Sequence, residues 1–146
     1  MVMEIQALVV DDSGIMRKLV IRSLLESKLA QFMFTEAKDG ADALEAFKSN
    51  PIDMIFVDWN MPNMNGIDFV KEVRKIEKDH VPVVMITTES TMGKIDEALN
   101  TAGIDCFIVK PFTAETLQVK LGPLFDKLTE PKKSGGFFSK LAANMS

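Results

Sequence analysis

Histidine and cysteine are almost missing from this chain, with only His80 and Cys106 among its 146 residues. A single cysteine excludes an internal disulfide. A single histidine leaves little support for a histidine metal centre or a Ser/His/Asp triad. Long apolar runs are missing too. No window approaches about 18 consecutive apolar residues, and no basic stretch leads into an apolar one at the N-terminus. The pattern therefore predicts neither membrane insertion nor a signal peptide, and a cytoplasmic location. Basic residues are no commoner than acidic ones, and the net charge is −4. Nucleic-acid binders usually carry a basic face, so none is expected as partner.

What remains is an ordinary globular composition, 47% apolar and 26% charged. A chain of this length suits one domain and needs no disulfide or metal staple to fold. Five short apolar runs stand out: Ile5 to Val10, Phe32 to Thr35, Ile52 to Val57, Val81 to Ile86 and Asp105 to Val109. Most are nearly continuous rather than alternating, which marks strands covered on both faces, as in a parallel sheet. Cys106 lies in the last and reads as packing; His80 reads as an exposed loop residue.

Helical patterns separate the runs. Ser13 can cap a helix carrying Ile15, Leu19, Val20, Leu24 and Leu25 on one side. Ala43, Leu44 and Phe47 mark a second helix, from Gly40 to Lys48. Ile67, Phe69, Val70, Val73 and Ile76 mark a third, opened by Asn65-Gly66. A fourth begins at Thr91, carries Ile95, Ala98 and Leu99, and stops near Gly103. Thr113 can cap the fifth, with Leu117, Leu121, Leu124, Phe125 and Leu128; Pro123 inside it predicts a kink or distorted turn. The sum is α/β: a single doubly wound (βα)₅ domain with helices on both faces of the sheet.

Such sheets bind ligands at the carboxyl ends of their strands. There the chain places Asp11-Asp12 after the first strand, Asp58 after the third, Thr87-Thr88 at the fourth and Lys110 at the fifth. Each alone reads as a solvated loop, a cap or a turn. Together, on parallel strands, they converge in one cleft. Crowded carboxylates repel, and burial raises their pKa values unless a cation sits among them. Oxygen-only ligands suit Mg²⁺. A cleft with Mg²⁺, a lysine and a threonine hydroxyl suits a phosphoryl group, and Asp58 can accept one as a nucleophile to give an acyl phosphate.

At this point the sequence resembles the receiver domains of bacterial two-component response regulators, and within them the stand-alone chemotaxis type. The likeness rests on Val10-Asp-Asp-Ser13, Glu36-Ala-Lys-Asp-Gly40-Ala-Asp-Ala-Leu44, Asp58-Trp-Asn-Met-Pro-Asn-Met-Asn-Gly66 and Lys110-Pro-Phe-Thr-Ala-Glu-Thr-Leu117. It covers about residues 5 to 129. The resemblance implies a flavodoxin-like parallel sheet in the order 2-1-3-4-5. It implies a phosphoacceptor Asp58, with Asp11, Asp12, Asp58 and the backbone carbonyl of Asn60 around Mg²⁺. Lys110 would contact the phosphoryl oxygens, followed by a cis peptide before Pro111. Thr87 would move its hydroxyl onto the phosphate while Phe107 turns inward. Asn60, Thr88 and Glu89 would influence the phosphoryl lifetime, and Asn60 and Glu89 match the short-lived chemotaxis pattern. The implied phosphodonor is a histidine kinase. The implied output is the face of the fourth helix, fifth strand and fifth helix, docking on a flagellar motor switch or another chemotaxis component.

Three features depart from that pattern. Phe107 stands where the chemotaxis type has tyrosine, and Thr88 is bulkier than the usual alanine. The chain also continues beyond Thr129. Residues 1–129 read as the receiver. Residues 130–146 read as a flexible linker followed by a short amphipathic tail, with Phe137, Phe138, Leu141 and Met145 on one face as a possible docking peptide. A switch that is not an enzyme, beyond catalysing its own phosphorylation and dephosphorylation, is the leading reading. A phosphate sink and a receiver fragment of a transcriptional regulator remain open; the tail is too short for a DNA-binding domain. A Mg²⁺-dependent aspartyl phosphatase fits less well, because such enzymes place a second Asp where Asn60 stands.

Overall fold

The parallel sheet decides where everything else goes. A computed structural model describes residues 3–88 and 90–129. Its elements alternate: β1 Glu4–Val10, α1 Gly14–Ser27, β2 Gln31–Ala37, α2 Gly40–Ser49, β3 Met54–Val57, α3 Gly66–Ile76, β4 Val83–Thr87, α4 Met92–Asp96, β5 Cys106–Val109 and α5 Ala114–Thr129. A π-helical turn, Glu97–Thr101, continues α4. The strands form one five-stranded parallel sheet in the order β2-β1-β3-β4-β5. Strand order reverses beside β1, and the crevice there is where this fold class binds ligands.

Strand alternation splits the core in two. Ile5, Ala7 and Val9 of β1 face one side, with Phe56, Ile86 and Ile108, under Val20 and Leu24 of α1 and Leu117, Leu121 and Phe125 of α5. Leu8 and Val10 face the other side, with Ile55, Val57 and Met85, under Ala43 of α2 and Ile67, Phe69, Val70 and Val73 of α3. β1, β3 and β4 are therefore buried on both faces, which is why they are almost purely apolar. The edge strands β2 and β5 are only partly covered. Cys106 is accordingly half-buried against the α5 side of the core; burial pushes its thiol pKa up.

The helices correct several packing expectations. α1 buries Val20 and Leu24, but Ile15 is 79% exposed, Leu25 55% and Leu19 46%. Its apolar residues circle too much of the helix for one inward stripe to take them all. Ile76 ends α3 in solvent, and Leu99 faces out of the π-helical turn, which buries Ala98 instead. α5 spans Ala114–Thr129 with Pro123 inside it. Its Thr113 cap is present, with Oγ1 accepting from the Thr116 N–H at 3.1 Å. Among the described residues no helix is long and apolar enough to cross a membrane. Glu89 and the tail residues Phe137, Phe138, Leu141 and Met145 lie outside the described residues.

Candidate functional site

Parallel register gathers the strand ends. Val10 pairs with Val57, so the next residues, Asp11 and Asp58, lie side by side, and the Asp58 N–H donates to the Val10 carbonyl at 3.0 Å. Thr87 pairs with Val109, and the Lys110 N–H donates to the Thr87 carbonyl at 2.8 Å. Backbone ladders thus set down three side chains from three strands around one point, and Lys110 reaches across from a fourth, at the sheet edge. The Lys110–Pro111 peptide is cis, as the resemblance implied.

Carboxylate oxygens of Asp11, Asp12 and Asp58 all lie within 4.8 Å of one another. Asp11 and Asp58 are buried; Asp12 is exposed. Lys110 Nζ sits 3.0 Å from Asp11 Oδ2 and 3.5 Å from Asp58 Oδ2. Asp11 Oδ1 accepts from the Ser13 N–H, and Asp58 Oδ1 accepts from the Trp59 N–H. Thr87 is fully buried and its hydroxyl hydrogen-bonds the Asp58 carboxylate.

Burial dominates the chemistry of Asp58 and pushes its carboxyl pKa up. The Lys110 ammonium and the Thr87 hydroxyl oppose this, and the neighbouring Asp11 charge adds to it. One ammonium thus serves two buried carboxylates beside a third, exposed one. The donor set is oxygen throughout, which fits a hard divalent cation and matches no soft-metal site.

The remaining expected residues are distributed around this centre. Asn60 is exposed and shares an open cleft of about 510 Å³ with Asp12, Trp59, Met61, Pro62, Asn65 and Lys94. Thr88 is exposed at the strand end. Phe107 is half-buried and packs against the α3 side of the core.

Several supporting residues were not anticipated. Arg17 donates through Nη1 to the Asp11 backbone carbonyl at 2.6 Å and pairs through Nε with Glu36 at 2.9 Å. It stands one turn into the helix that follows Asp11-Asp12, a spacing that points it back at the site. The Lys18 hydrogen bond holds Glu36 below the usual carboxylate range against opposing burial, with Arg17 adding to it. Gly66 is required by close approach: a Cβ there would strike the Asp58 carbonyl oxygen. Its N–H donates to the Trp59 carbonyl at 2.8 Å and closes the loop that carries Asp58.

Fold and site together define a class, and comparison with known proteins agrees. Residues 7–122 match the response regulator receiver domain, and the chain belongs to that family. Among its relatives, the chemotaxis protein CheY-3 of Vibrio cholerae is 44% identical over 122 residues, covering 83% of this chain and 92% of that protein. The chemotaxis protein CheY of Pseudomonas aeruginosa is 41% identical over 122 residues, covering 83% and 96%. The solved structure of the chemotaxis response regulator CheY4 of Vibrio cholerae superposes with a TM-score of 0.73 at 34% identity, covering 83% of this chain and 98% of that one.

Proposed function

We propose that this protein is a single-domain response regulator, switched when Asp58 takes a phosphoryl group from a phosphohistidine of a sensor kinase. The observation that carries the reading is the buried Asp58 carboxylate, set between Asp11, Thr87 and Lys110. An Asp58 carboxylate oxygen attacks phosphorus, the phosphorus–nitrogen bond breaks, and the imidazole leaves with the electron pair and is reprotonated from solvent. Asp58 must be ionised to attack, and the Lys110 ammonium favours that form.

The carboxylates of Asp11, Asp12 and Asp58 and the carbonyl of Asn60 would hold Mg²⁺, Asp11 directly or through water. When bound, Mg²⁺ offsets negative charge on the acceptor and on the phosphoryl oxygens. Lys110 contacts those oxygens during transfer and in the product. The new group has greater charge and three strong acceptors, so it draws the Thr87 hydroxyl away from the carboxylate. Phe107 then turns into the space Thr87 vacates, and the surface of α4, β5 and α5 changes. That surface already exposes Met92, Val109 and Val119, which suits docking on a protein partner. Relatives named as chemotaxis proteins support a motility output such as a flagellar motor switch.

The test is incubation with acetyl phosphate and Mg²⁺ followed by intact mass. Wild type gains one phosphoryl group and Asp58→Asn gains none; incorporation in the variant overturns the assignment. Chase after donor removal reads the lifetime set by Asn60, Thr88 and Glu89, for which decay is fast and persistence over many hours counts against the reading.

A further inference from the structure

Among the described residues that line this cleft, Lys94 is the one cation, and the proposed chemistry leaves it unused. Its ammonium lies 4.9 Å from the centroid of the Trp59 ring, and the Trp59 side chain is itself buried. Trp59 directly follows the acceptor Asp58. Lys94 also lines the same open cleft as Asp12, the exposed carboxylate of the acidic cluster, and Asn60. Among the described residues no carboxylate forms an ion pair with it. Lys110 differs on each count: it is mostly buried and already shared between Asp11 and Asp58. The cation–π contact contributes only about 0.5–1 kcal/mol at an exposed site, too little to hold the ammonium on the ring against an anion.

We propose that Lys94 is a donor-binding residue: resting on Trp59 at the mouth of the cleft, it receives the phosphoryl oxygens of the incoming phosphodonor. This rests on the phosphoacceptor reading of Asp58. An anionic donor must approach an acidic pocket, and a divalent cation at the bottom does not shield the outer rim. A mobile ammonium at the mouth lowers that barrier and raises the local concentration of the donor. The same positive charge repels Mg²⁺. Donor capture and metal affinity therefore respond in opposite directions to its removal, which loss of a merely structural contact would not produce.

The experiment compares wild type, Lys94→Met and Lys94→Arg, using acetyl phosphate as donor and Mg²⁺ alone as second probe. Phosphorylation rates are read by intact mass at low and high salt. Mg²⁺ affinity is read from the midpoint of the Trp59 fluorescence titration, because the baseline intensity changes with the neighbour. Lys94→Met phosphorylates about three- to fivefold more slowly at low salt, the scale of one screened charge pair near a surface, and the deficit shrinks at high salt. It binds Mg²⁺ more tightly by a similar factor, and Lys94→Arg restores both values. Equal rates and equal Mg²⁺ midpoints in Lys94→Met and wild type overturn the proposal. So does a slowdown that Lys94→Arg shares, or a rate loss accompanied by weaker Mg²⁺ binding. Failure of the underlying reading looks different: wild type takes no phosphoryl group, or Asp58→Asn takes one, and the proposal falls with it.

Discussion

At the edge where the strands begin, Asp105 and Asp53 are held by partners of their own; at the edge where they end, Asp11 and Asp58 share one ammonium. Asp105 opens β5, accepts from the Val83 N–H at 2.8 Å and pairs with Arg74 at 3.3 Å and His80 at 2.8 Å. Arg74 also holds Glu77 at 2.8 Å and the carbonyls of Val81 and Gly103. Asp53 opens β3 and accepts from the Gln6 N–H. These groups fix the loops that start the strands. At the opposite edge Asp11 and Asp58 crowd beside Asp12, and burial disfavours the charged form of Asp58, which makes a cation there welcome. A cavity of about 540 Å³ also lies at the first edge, lined by Phe47, Ile52, Ile76 and His80. It is similar in size to the acidic cleft, and charges of both signs line it, from Lys48, Asp53, Glu77, Lys78 and Asp79. Size therefore does not separate the two edges; the gathering of three carboxylates around one lysine does.

The comparison breaks if both edges respond alike to loss of their cation. Lys110→Met removes the shared ammonium, and phosphorylation by acetyl phosphate falls about 100-fold, roughly 2.7 kcal/mol of barrier. A rate within a few-fold of wild type contradicts the role of Lys110. Arg74→Met takes the guanidinium from Asp105 and Glu77, both partly buried, and from the carbonyls of Val81 and Gly103, and costs about 2–3 kcal/mol in urea unfolding. Its phosphorylation rate stays at the wild-type value below the unfolding transition; a parallel fall would show that the two edges are not independent.

Metal sharpens the contrast further. Mg²⁺ at 100 times its Kd raises stability by about 2.7 kcal/mol by mass action, seen as a higher Tm. Arg74→Met keeps that gain, and Asp11→Asn with Asp12→Asn together lose it. Equal gains in all three proteins would place the ion elsewhere.

The smallest effect follows from the raised pKa of Asp58. Its folded-state pKa lies above the ordinary 3.8, so between the two values the native state binds more protons than the unfolded one. Stability from this group is therefore fully present below 3.8 and lost as pH rises through the folded pKa. Asp58→Asn removes the cost of the buried charge, so without metal its Tm exceeds that of wild type at neutral pH. The difference narrows as pH falls toward 3.8. A variant less stable than wild type at neutral pH would show that Lys110 and Thr87 more than compensate burial.

Much of this was legible in the chain. Unbroken apolar runs marked β1, β3 and β4, because strands covered on both faces need no polar side. Polar residues straight after those runs marked the cleft, because parallel strands end at the same edge. The inward face of α1 was not legible, since Ile15, Leu19 and Leu25 carry the same apolar signal as Val20 and Leu24, and only docking on the sheet chose between them. The role of Gly66 was hidden as well, because its neighbour is the Asp58 carbonyl across a closed loop. Lys94 gave no signal at all; its meaning comes from lying over Trp59, 35 residues earlier in the chain.

The order of residues by itself determined the alternation of strands and helices and the chemistry at each strand end, because periodicity and side-chain type are local properties. Tertiary structure alone decided that Lys110 lies 3.0 Å from Asp11 across 99 residues, that Thr87 bonds Asp58, and that burial raises the Asp58 pKa. Each of those depends on strand register and on water excluded by helices on both sides, and neither is written in any one segment.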